Sequence, residues 1–162
     1  MTQKAGWLFA TFLLVLPLDQ ATKAWVEANV HPLHPLPVIE GFFQITHARN
    51  PGGALGLFQE TPVVVFIVLT IFAIGLVTSF YRQVAADDRL SLVALGLILG
   101  GAFGNLTDRL MRGEVVDFLQ FDLKLFIFPD FNVADSAIVI GVVLLLRDLV
   151  LPASSRADGD PA

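Results

Sequence analysis

The stretch from residue 62 to residue 80 contains no charged side chain and is apolar almost throughout. An α-helix needs about 20 predominantly apolar residues to cross the hydrocarbon core of a bilayer. Of the 162 residues, 55% are hydrophobic and only 15% are charged, whereas a soluble domain carries about 25% charged residues. The sequence therefore predicts a membrane-spanning helix here, within an integral membrane protein.

Three further apolar stretches predict helices of the same kind. Their approximate ranges are 6–26, 90–109 and 133–151. The first stretch begins after Lys4 and resembles a secretory signal peptide, but no clear small-residue cleavage site follows it. It continues instead through Asp19 and Lys23, so we interpret it as a retained helix. We predict a mainly α-helical fold with four membrane spans in a single domain, residues 1–151.

The two long connections between spans, residues 27–61 and 110–132, are predicted to lie outside the membrane and on the same side of it. The first includes a β-like stretch at residues 38–46, and both are apolar enough to lie at the membrane interface. Residues 152–162 are polar and small, which predicts a disordered tail. Lys and Arg are equally numerous on the two sides, so the charge rule for membrane orientation does not decide the topology.

Small residues recur in the last two predicted spans. Gly96, Gly100 and Gly104 follow one another at four-residue intervals, and so do Ala137 and Gly141. This spacing permits close contact between helix backbones. We predict that these residues serve helix packing rather than chemistry.

Polar side chains that are unusual near a membrane gather on the side of the two long connections. They are Asp19, Lys23, Asn50, Asn105, Asp108, Arg109, Asp117, Asn132 and Asp135. Ionisable groups in a membrane are costly and indicate a functional site by default. The short connection on the other side, residues 81–89, has charges but no comparable cluster. The sequence therefore predicts the functional site on the side of the long connections.

Asp117 and Asp135, here called the aspartate pair, are the candidate catalytic residues because both lie in apolar surroundings. Two neighbouring carboxylates can share one proton, since like charges a few ångströms apart cannot both ionise. The ionised member can take a proton from water while the neutral member hydrogen-bonds to the carbonyl under attack, and the two titrate as a unit. For either residue alone a helix cap or a loop carboxylate is the better interpretation; for both together we favour catalysis.

The other polar residues allow more than one interpretation. Asp19 and Lys23 lie four apart on one helix face, which is typical of an interfacial ion pair with a snorkelling lysine or of a substrate-positioning pair. Arg109 is predicted to pair with a carboxylate and to hold the third span against its neighbours. Asn50, which is close to several glycines, either binds a substrate backbone or forms a turn.

Other chemistries have less support. The chain has no cysteine, no His-Glu-x-x-His zinc pattern and no Gly-x-Ser-x-Gly elbow, and its net charge of −5 argues against nucleic acid as a partner. No metal or organic cofactor is expected. Ser136 with Lys23 is a weaker catalytic alternative. The rival class is a small non-enzymatic carrier that uses the same carboxylates as a proton relay; such carriers often show internal repeats, and none is convincing here.

Four motifs resemble those of the lipoprotein signal peptidases, also called signal peptidase II. They are Asp19-Gln20-x-Thr22-Lys23, Asn50-x-Gly52-Gly53-Ala54, Gly104-Asn105-Leu106-x-Asp108-Arg109 with Gly113 and Val115-Val116-Asp117-Phe118, and Phe131-Asn132-x-Ala134-Asp135-Ser136. They occur in the family's order across residues 19–141. The second motif departs from the family's pattern at Pro51, Gly53 and Leu55.

The resemblance implies an aspartic endopeptidase of the bacterial inner membrane, with cytoplasmic termini and its active site toward the periplasmic, outer leaflet. The implied substrate is a diacylglyceryl-modified prolipoprotein, cut just before the lipid-bearing cysteine. Inhibition by the cyclic peptide globomycin, contact with membrane lipid and a monomeric state are also expected. Asp117 and Asp135 correspond to the catalytic dyad. The substrate-binding or supporting residues are Asp19, Lys23, Asn50, Gly52, Asn105, Asp108, Arg109, Asn132 and Ala134. We expect the segment at residues 50–58 to close over the bound substrate.

Overall fold

A computed structural model describes residues 3–52 and 61–150 of the chain, with side chains described as far as residue 147. This part of the chain contains four helices and three strands. The elements are α1 (Gln3–Asn29), β1 (Leu36–Ile39), β2 (Phe43–Asn50), α2 (Val63–Gln83), α3 (Arg89–Arg112), β3 (Val115–Phe121) and α4 (Val133–Val150). The predicted tail at 152–162 and residues 53–58 of the predicted closing segment lie outside the described residues.

Three of the described helices, α1, α2 and α3, are long and apolar enough to cross a membrane. The fourth, α4, has 18 residues and includes Asp135, Arg147 and Asp148, so it is not among the three. A mainly helical membrane fold with a small sheet is confirmed. The predicted count of four spans is not confirmed by length and composition.

Helix α3 lies at the centre, and its contacts are mainly with α1 and α4, while α2 packs on it from outside. Glycine permits these close contacts. A Cβ added at Gly96 would lie 2.7 Å from the carbonyl oxygen of Leu8 on α1, and a Cβ added at Gly101 would lie 2.3 Å from the carbonyl oxygen of Ala134 on α4. The predicted role in close helix packing is confirmed for Gly96 and Gly100, since a Cβ added at Gly100 would lie 2.7 Å from the Cβ of Val15 on α1.

The three strands form one antiparallel sheet in the order β1-β2-β3. The predicted β-like stretch is therefore two strands joined by a turn, in which Gly41 has a φ of +66° that favours glycine. In the pairing of β2 with β3, Ala48 lies opposite Asp117 and Asn50 lies opposite Val115. This register places the end of β2 beside the first half of β3.

A small apolar core holds the sheet against the end of α1. It consists of Val26, Val30, Val116 and Phe118, all buried. The chain reaches this position because Gly113 ends α3 in a left-handed conformation, with a φ of +79°, and turns directly into β3. Since Val116 and Phe118 are both anchored, the residue between them is fixed at the end of the helix bundle.

Replacing Gly101 with alanine is expected to lower the free energy of unfolding by about 1–3 kcal/mol, because the added methyl group would overpack the contact between α3 and α4. Gly75→Ala on α2 is the matched control, since nothing lies within 4 Å of its added Cβ. It should be neutral or stabilise by about 0.5–1 kcal/mol through helix propensity. Thermal unfolding in detergent micelles measures both; equal stability of the two variants would contradict the packing argument.

Candidate active site

Asp117 is buried on β3, where two asparagine side chains bind its carboxylate. Asn50 at the end of β2 donates from Nδ2 to Oδ2 at 3.0 Å, and Asn132 donates from Nδ2 to Oδ1 at 2.7 Å. The side chain of Asp117 is only 2% exposed. A carboxylate this deeply buried needs such partners, because an unpaired charge away from water is strongly disfavoured.

Asp135 lies in the first turn of α4 and is bound by the same kind of groups. Asn105 on α3 donates from Nδ2 to its Oδ1 at 2.8 Å. The backbone N–H of Asn132 donates to its Oδ2 at 3.2 Å, while its own N–H donates to Oδ1 of Asn132 at 2.9 Å. This reciprocal pair is a capping box, so Asn132, rather than Asp135, caps the helix. Asn132 also contacts both members of the aspartate pair.

Lys23 is fully buried at the centre of the site. Its Nζ lies 2.9 Å from Oδ2 of Asp19 and 2.8 Å from Oδ2 of Asp108, and it donates to Oδ1 of Asn105 at 3.0 Å. Lys23, Asp19 and Asp108, which we call the lysine network, are each 0% exposed. The snorkelling interpretation of Lys23 was therefore wrong: the neighbouring carboxylates hold the ammonium inside the protein.

The lysine network contacts the backbone immediately before each member of the aspartate pair. Asp108 accepts a hydrogen bond from the N–H of Val116 at 3.3 Å, and Asp19 accepts one from the N–H of Ala134 at 3.0 Å. Each of these residues precedes one aspartate of the pair. Lys23 therefore positions both candidate catalytic residues: it acts on Asp117 through Asp108 and on Asp135 through Asp19.

The pKa of the Asp117 carboxyl is raised to about 7. Burial is the main cause, since the interior disfavours the charged form, and the negative charge of Asp135 acts in the same direction. The hydrogen bonds from Asn50 and Asn132 act in the opposite direction because they stabilise the ionised form. Asp117 can therefore gain or lose a proton near neutral pH.

The turn interpretation of Asn50 is confirmed, while contact with a substrate backbone stays a prediction. Its Nδ2 reaches Asp117, and its Oδ1 accepts a hydrogen bond from the N–H of Gly52 at 3.0 Å, which forms a turn. Gly52 has a φ of +152°, and an added Cβ would lie 2.1 Å from the ring of Phe66 on α2. The turn that orients Asn50 therefore requires glycine at this position.

The prediction that Arg109 pairs with a carboxylate is wrong as far as the described residues are concerned. Its Nη1 donates to the carbonyl oxygen of Asn105 at 3.3 Å, and its guanidinium lies 5.4 Å from the ring centroid of Phe66. No carboxylate among the described residues lies within salt-bridge distance of Arg109. Its Nε is buried and has no hydrogen-bond partner there. Arg109 connects α3 to α2 through a cation–π contact instead.

The alternative pair of Ser136 and Lys23 is not assembled. The hydroxyl of Ser136 donates to the carbonyl oxygen of Asn132 at 2.9 Å, which is a contact within one helical turn. The Nζ of Lys23 is bound instead by Asp19, Asp108 and Asn105. Within the described residues, no group of three or more His, Cys, Asp or Glu side chains could hold a metal ion.

Sequence reasoning missed Gln20, although it lies in the first motif. Its Nε2 lies 3.1 Å from Oδ2 of Asp19 and 3.0 Å from Oδ1 of Asp108, so it bridges the two acids of the lysine network. Its position beside Asp19 was the only signal in the sequence. A second omission is a chain of ion pairs at the edge of the site, formed by Glu27, Arg49, Arg112 and Glu114. Residues far apart in sequence form it, so no local spacing predicts it.

Comparisons with known proteins agree with this architecture. The sequence model of the family described as signal peptidase (SPase) II matches residues 11–151. The lipoprotein signal peptidase of Moorella thermoacetica is 45% identical over 144 residues, which are 89% of this chain and 93% of the relative. That of Geobacter sulfurreducens is 41% identical over 143 residues, which are 87% and 89%.

Two solved structures of bacterial membrane enzymes are also similar. One has a TM-score of 0.85 at 31% identity and covers 97% of this chain and 95% of its own. The other has a TM-score of 0.82 at 33% identity, with coverage of 91% and 94%. These relatives favour a peptidase over a membrane carrier.

Replacing Lys23 with glutamine should destabilise the protein by about 3–5 kcal/mol, because it leaves the buried carboxylate of Asp19 without its cation and leaves Asp108 paired with Arg112 alone. Lys124→Gln is the matched control, since that side chain is 72% exposed, lies 3.9 Å from Asp122 and otherwise donates to the carbonyl oxygen of Gly41. Its effect should stay within about 0.5 kcal/mol. Unfolding in detergent measures both variants, and a Lys23 variant as stable as its control would exclude a central role for the lysine network.

Proposed function

The chain belongs to the signal peptidase II family, and on that premise we propose that it is an aspartic endopeptidase whose catalytic dyad is Asp117 and Asp135. Family membership makes it a bacterial membrane peptidase that removes signal peptides from lipoproteins. The finer proposal is that its substrates are diacylglyceryl-modified prolipoproteins. We propose that it cuts just N-terminal to the lipidated cysteine.

The observation that carries the proposal is that Asn132 binds both carboxylates of the aspartate pair. Its side-chain amide donates to Asp117 and its backbone N–H donates to Asp135, so one residue binds both acids, an arrangement suited to two carboxyls that share a proton. The raised pKa of Asp117 supports the same conclusion, because a group that gains and loses a proton near neutral pH is suited to acid–base catalysis.

The proposed reaction follows from one shared proton. The ionised carboxylate takes a proton from a water molecule as the water oxygen attacks the carbonyl carbon of the scissile peptide bond. The protonated carboxyl donates a hydrogen bond to the carbonyl oxygen and stabilises the developing negative charge. Collapse of the tetrahedral intermediate then breaks the C–N bond, and the amine leaves with a proton from the dyad.

The location of the site suits a lipid-bearing substrate. Large apolar side chains after β3 are exposed, among them Leu125 at 94% and Phe126 at 56%. We propose that this segment rests in the membrane interface, where it would contact the acyl chains of the substrate and surrounding lipid. Globomycin-type peptides would inhibit by occupying the same place, and one protein molecule would suffice for activity.

The proposed orientation places the termini in the cytoplasm and the active site at the outer leaflet of the inner membrane. Basic side chains at the end opposite the aspartate pair support it, since positive residues favour the cytoplasmic side. They are Lys4, Arg82, Arg89 and Arg147. Lys23, on the side of the aspartate pair, is not counted against this orientation, because its buried ion pairs with Asp19 and Asp108 account for a lysine at that position.

Asp117→Asn and Asp135→Asn should each reduce cleavage of a lipid-modified prolipoprotein by several orders of magnitude while the protein remains folded. Each change removes the proton acceptor or donor of one member of a cooperating pair. Purified variants in detergent, incubated with the substrate and assayed for release of the signal peptide, measure the effect.

Two neighbouring substitutions serve as controls. Asp122→Asn changes a half-exposed carboxylate just beyond the end of β3, and Ser136→Ala changes the residue that follows Asp135. Both should retain substantial activity, and cleavage should persist in the presence of chelators. Near-normal turnover in either aspartate variant would disprove the dyad, and complete loss in a folded Ser136→Ala variant would revive the serine alternative.

Cleavage is expected to decline as the pH rises above about 7, because the pair then loses its shared proton. The folded-state pKa of Asp117 is raised, so the protonated form persists up to that range. Asn50→Ala removes a hydrogen bond that lowers this pKa. The alkaline limb of the pH profile should therefore shift to higher pH.

The matched control for the pH profile is Asn29→Ala. Asn29 is exposed and donates to the carbonyl oxygen of Trp25, one turn earlier on α1. Its replacement should leave the limb in place. A limb that stays fixed or shifts to lower pH in Asn50→Ala would show that Asn50 does not set the ionisation of Asp117.

A further inference from the structure

A cavity lies between α1, α2 and α3, and no residue of the aspartate pair or of the lysine network lines it. It has a volume of about 360 Å³ and is lined by Phe9, Phe12, Ile74, Tyr81, Leu99 and Phe103, together with Leu8 and Thr78. Its wall is almost entirely apolar. The volume lies within the range of about 300–1,000 Å³ that is typical of sites for small ligands.

The bilayer is the natural source of an occupant for this cavity. Helix α2, which forms one wall, has a mean hydropathy of 2.8 and no buried residue in the structure, so it faces lipid along its length. Cavities with apolar walls accept apolar ligands in preference to water. A lipid acyl chain suits this cavity because it is apolar and because the bilayer would supply it next to α2.

A cation stands at the end of the cavity. The Nζ of Lys4 lies 4.6 Å from the ring centroid of Tyr81, which lines the cavity, and donates to the carbonyl oxygen of Val84 at 2.6 Å. An ammonium group has three N–H donors, so this contact leaves two for another acceptor. Within residues 3–52 and 61–147, no salt bridge includes Lys4.

We propose that the cavity binds one acyl chain of an anionic phospholipid whose phosphate is held by Lys4. The basic side chains of Lys4 and Arg82 at this end of the cavity favour an anionic headgroup. Asp88, one of the two acids between α2 and α3, is already paired with Arg147 at 3.3 Å. The apolar segment of a signal peptide is the other candidate, but it is preceded by a positively charged region. That region would be repelled by the basic end of the cavity. The site is independent of the proteolytic dyad.

Native mass spectrometry of the purified full chain tests the proposal, with phosphatidylglycerol and phosphatidylcholine of equal chain length as probes. Phosphatidylglycerol should bind about fivefold more tightly, the effect expected of one lysine near an anionic lipid. Lys4→Gln should abolish this preference and Lys4→Arg should keep it. Arg89→Gln is the control, because that side chain lies over the ring of Trp7 at 5.6 Å rather than over a cavity residue.

Thr78→Trp tests the acyl-chain site, since it fills the cavity and should weaken the binding of both lipids severalfold. Ser79→Trp is its control, because Ser79 is the next residue on α2 and does not line the cavity. The proposal would be overturned by equal binding of the two lipids to the unaltered protein. It would also be overturned if Arg89→Gln acted like Lys4→Gln, if Ser79→Trp acted like Thr78→Trp, or if a synthetic signal peptide displaced the lipid.

Discussion

The burial of the ammonium of Lys23 between two carboxylates is the interaction on which the rest of the site depends. A buried ion pair contributes little net stability, but removal of one partner is costly because the remaining charges are left unpaired in the interior. The helices and strands that carry these groups must therefore stay in register. Asp19 and Lys23 lie on α1, and Asp108 lies on α3, while each acid also accepts a backbone N–H beside one member of the aspartate pair. The cost of breaking the lysine network thus fixes the geometry of the aspartate pair.

Asparagine side chains connect this charged network to the aspartate pair without adding charge. Asn105 accepts from Lys23 through Oδ1 and donates to Asp135 through Nδ2. The amide of Asn132 donates to Asp117 in the same way. A neutral amide is suited to this position because it both donates and accepts. A further lysine or arginine here would lower the pKa of the Asp117 carboxyl and oppose the shared proton that we propose for catalysis.

Much of the site could be predicted from the sequence, because polar residues in apolar surroundings are conspicuous. Asp117, Asp135 and Asn132 stood out for that reason, and the structure brings them together. The partners of Arg109 and the bridging role of Gln20 could not be predicted. Both depend on the packing of α3 against α2 and α1, which local spacing does not specify. The sequence likewise predicts only an apolar interfacial stretch where the structure has β3. A strand that is buried on both faces lacks the alternation of apolar and polar residues that identifies a strand in a sequence.

Gly104 contributes both to helix packing and to the charged site, although its four-residue spacing from Gly100 predicts only a packing role. A Cβ added there would lie 2.5 Å from Oδ2 of Asp19 and 3.3 Å from the Cβ of Ala134. Any side chain at this position would therefore push the carboxylate away from Lys23 or separate α3 from α4. The last glycine of the series thus makes room for an ion rather than for another helix backbone. Close helix contact in this protein is what allows a charge on α1 to reach the first turn of α4, and so to hold Asp135 in place.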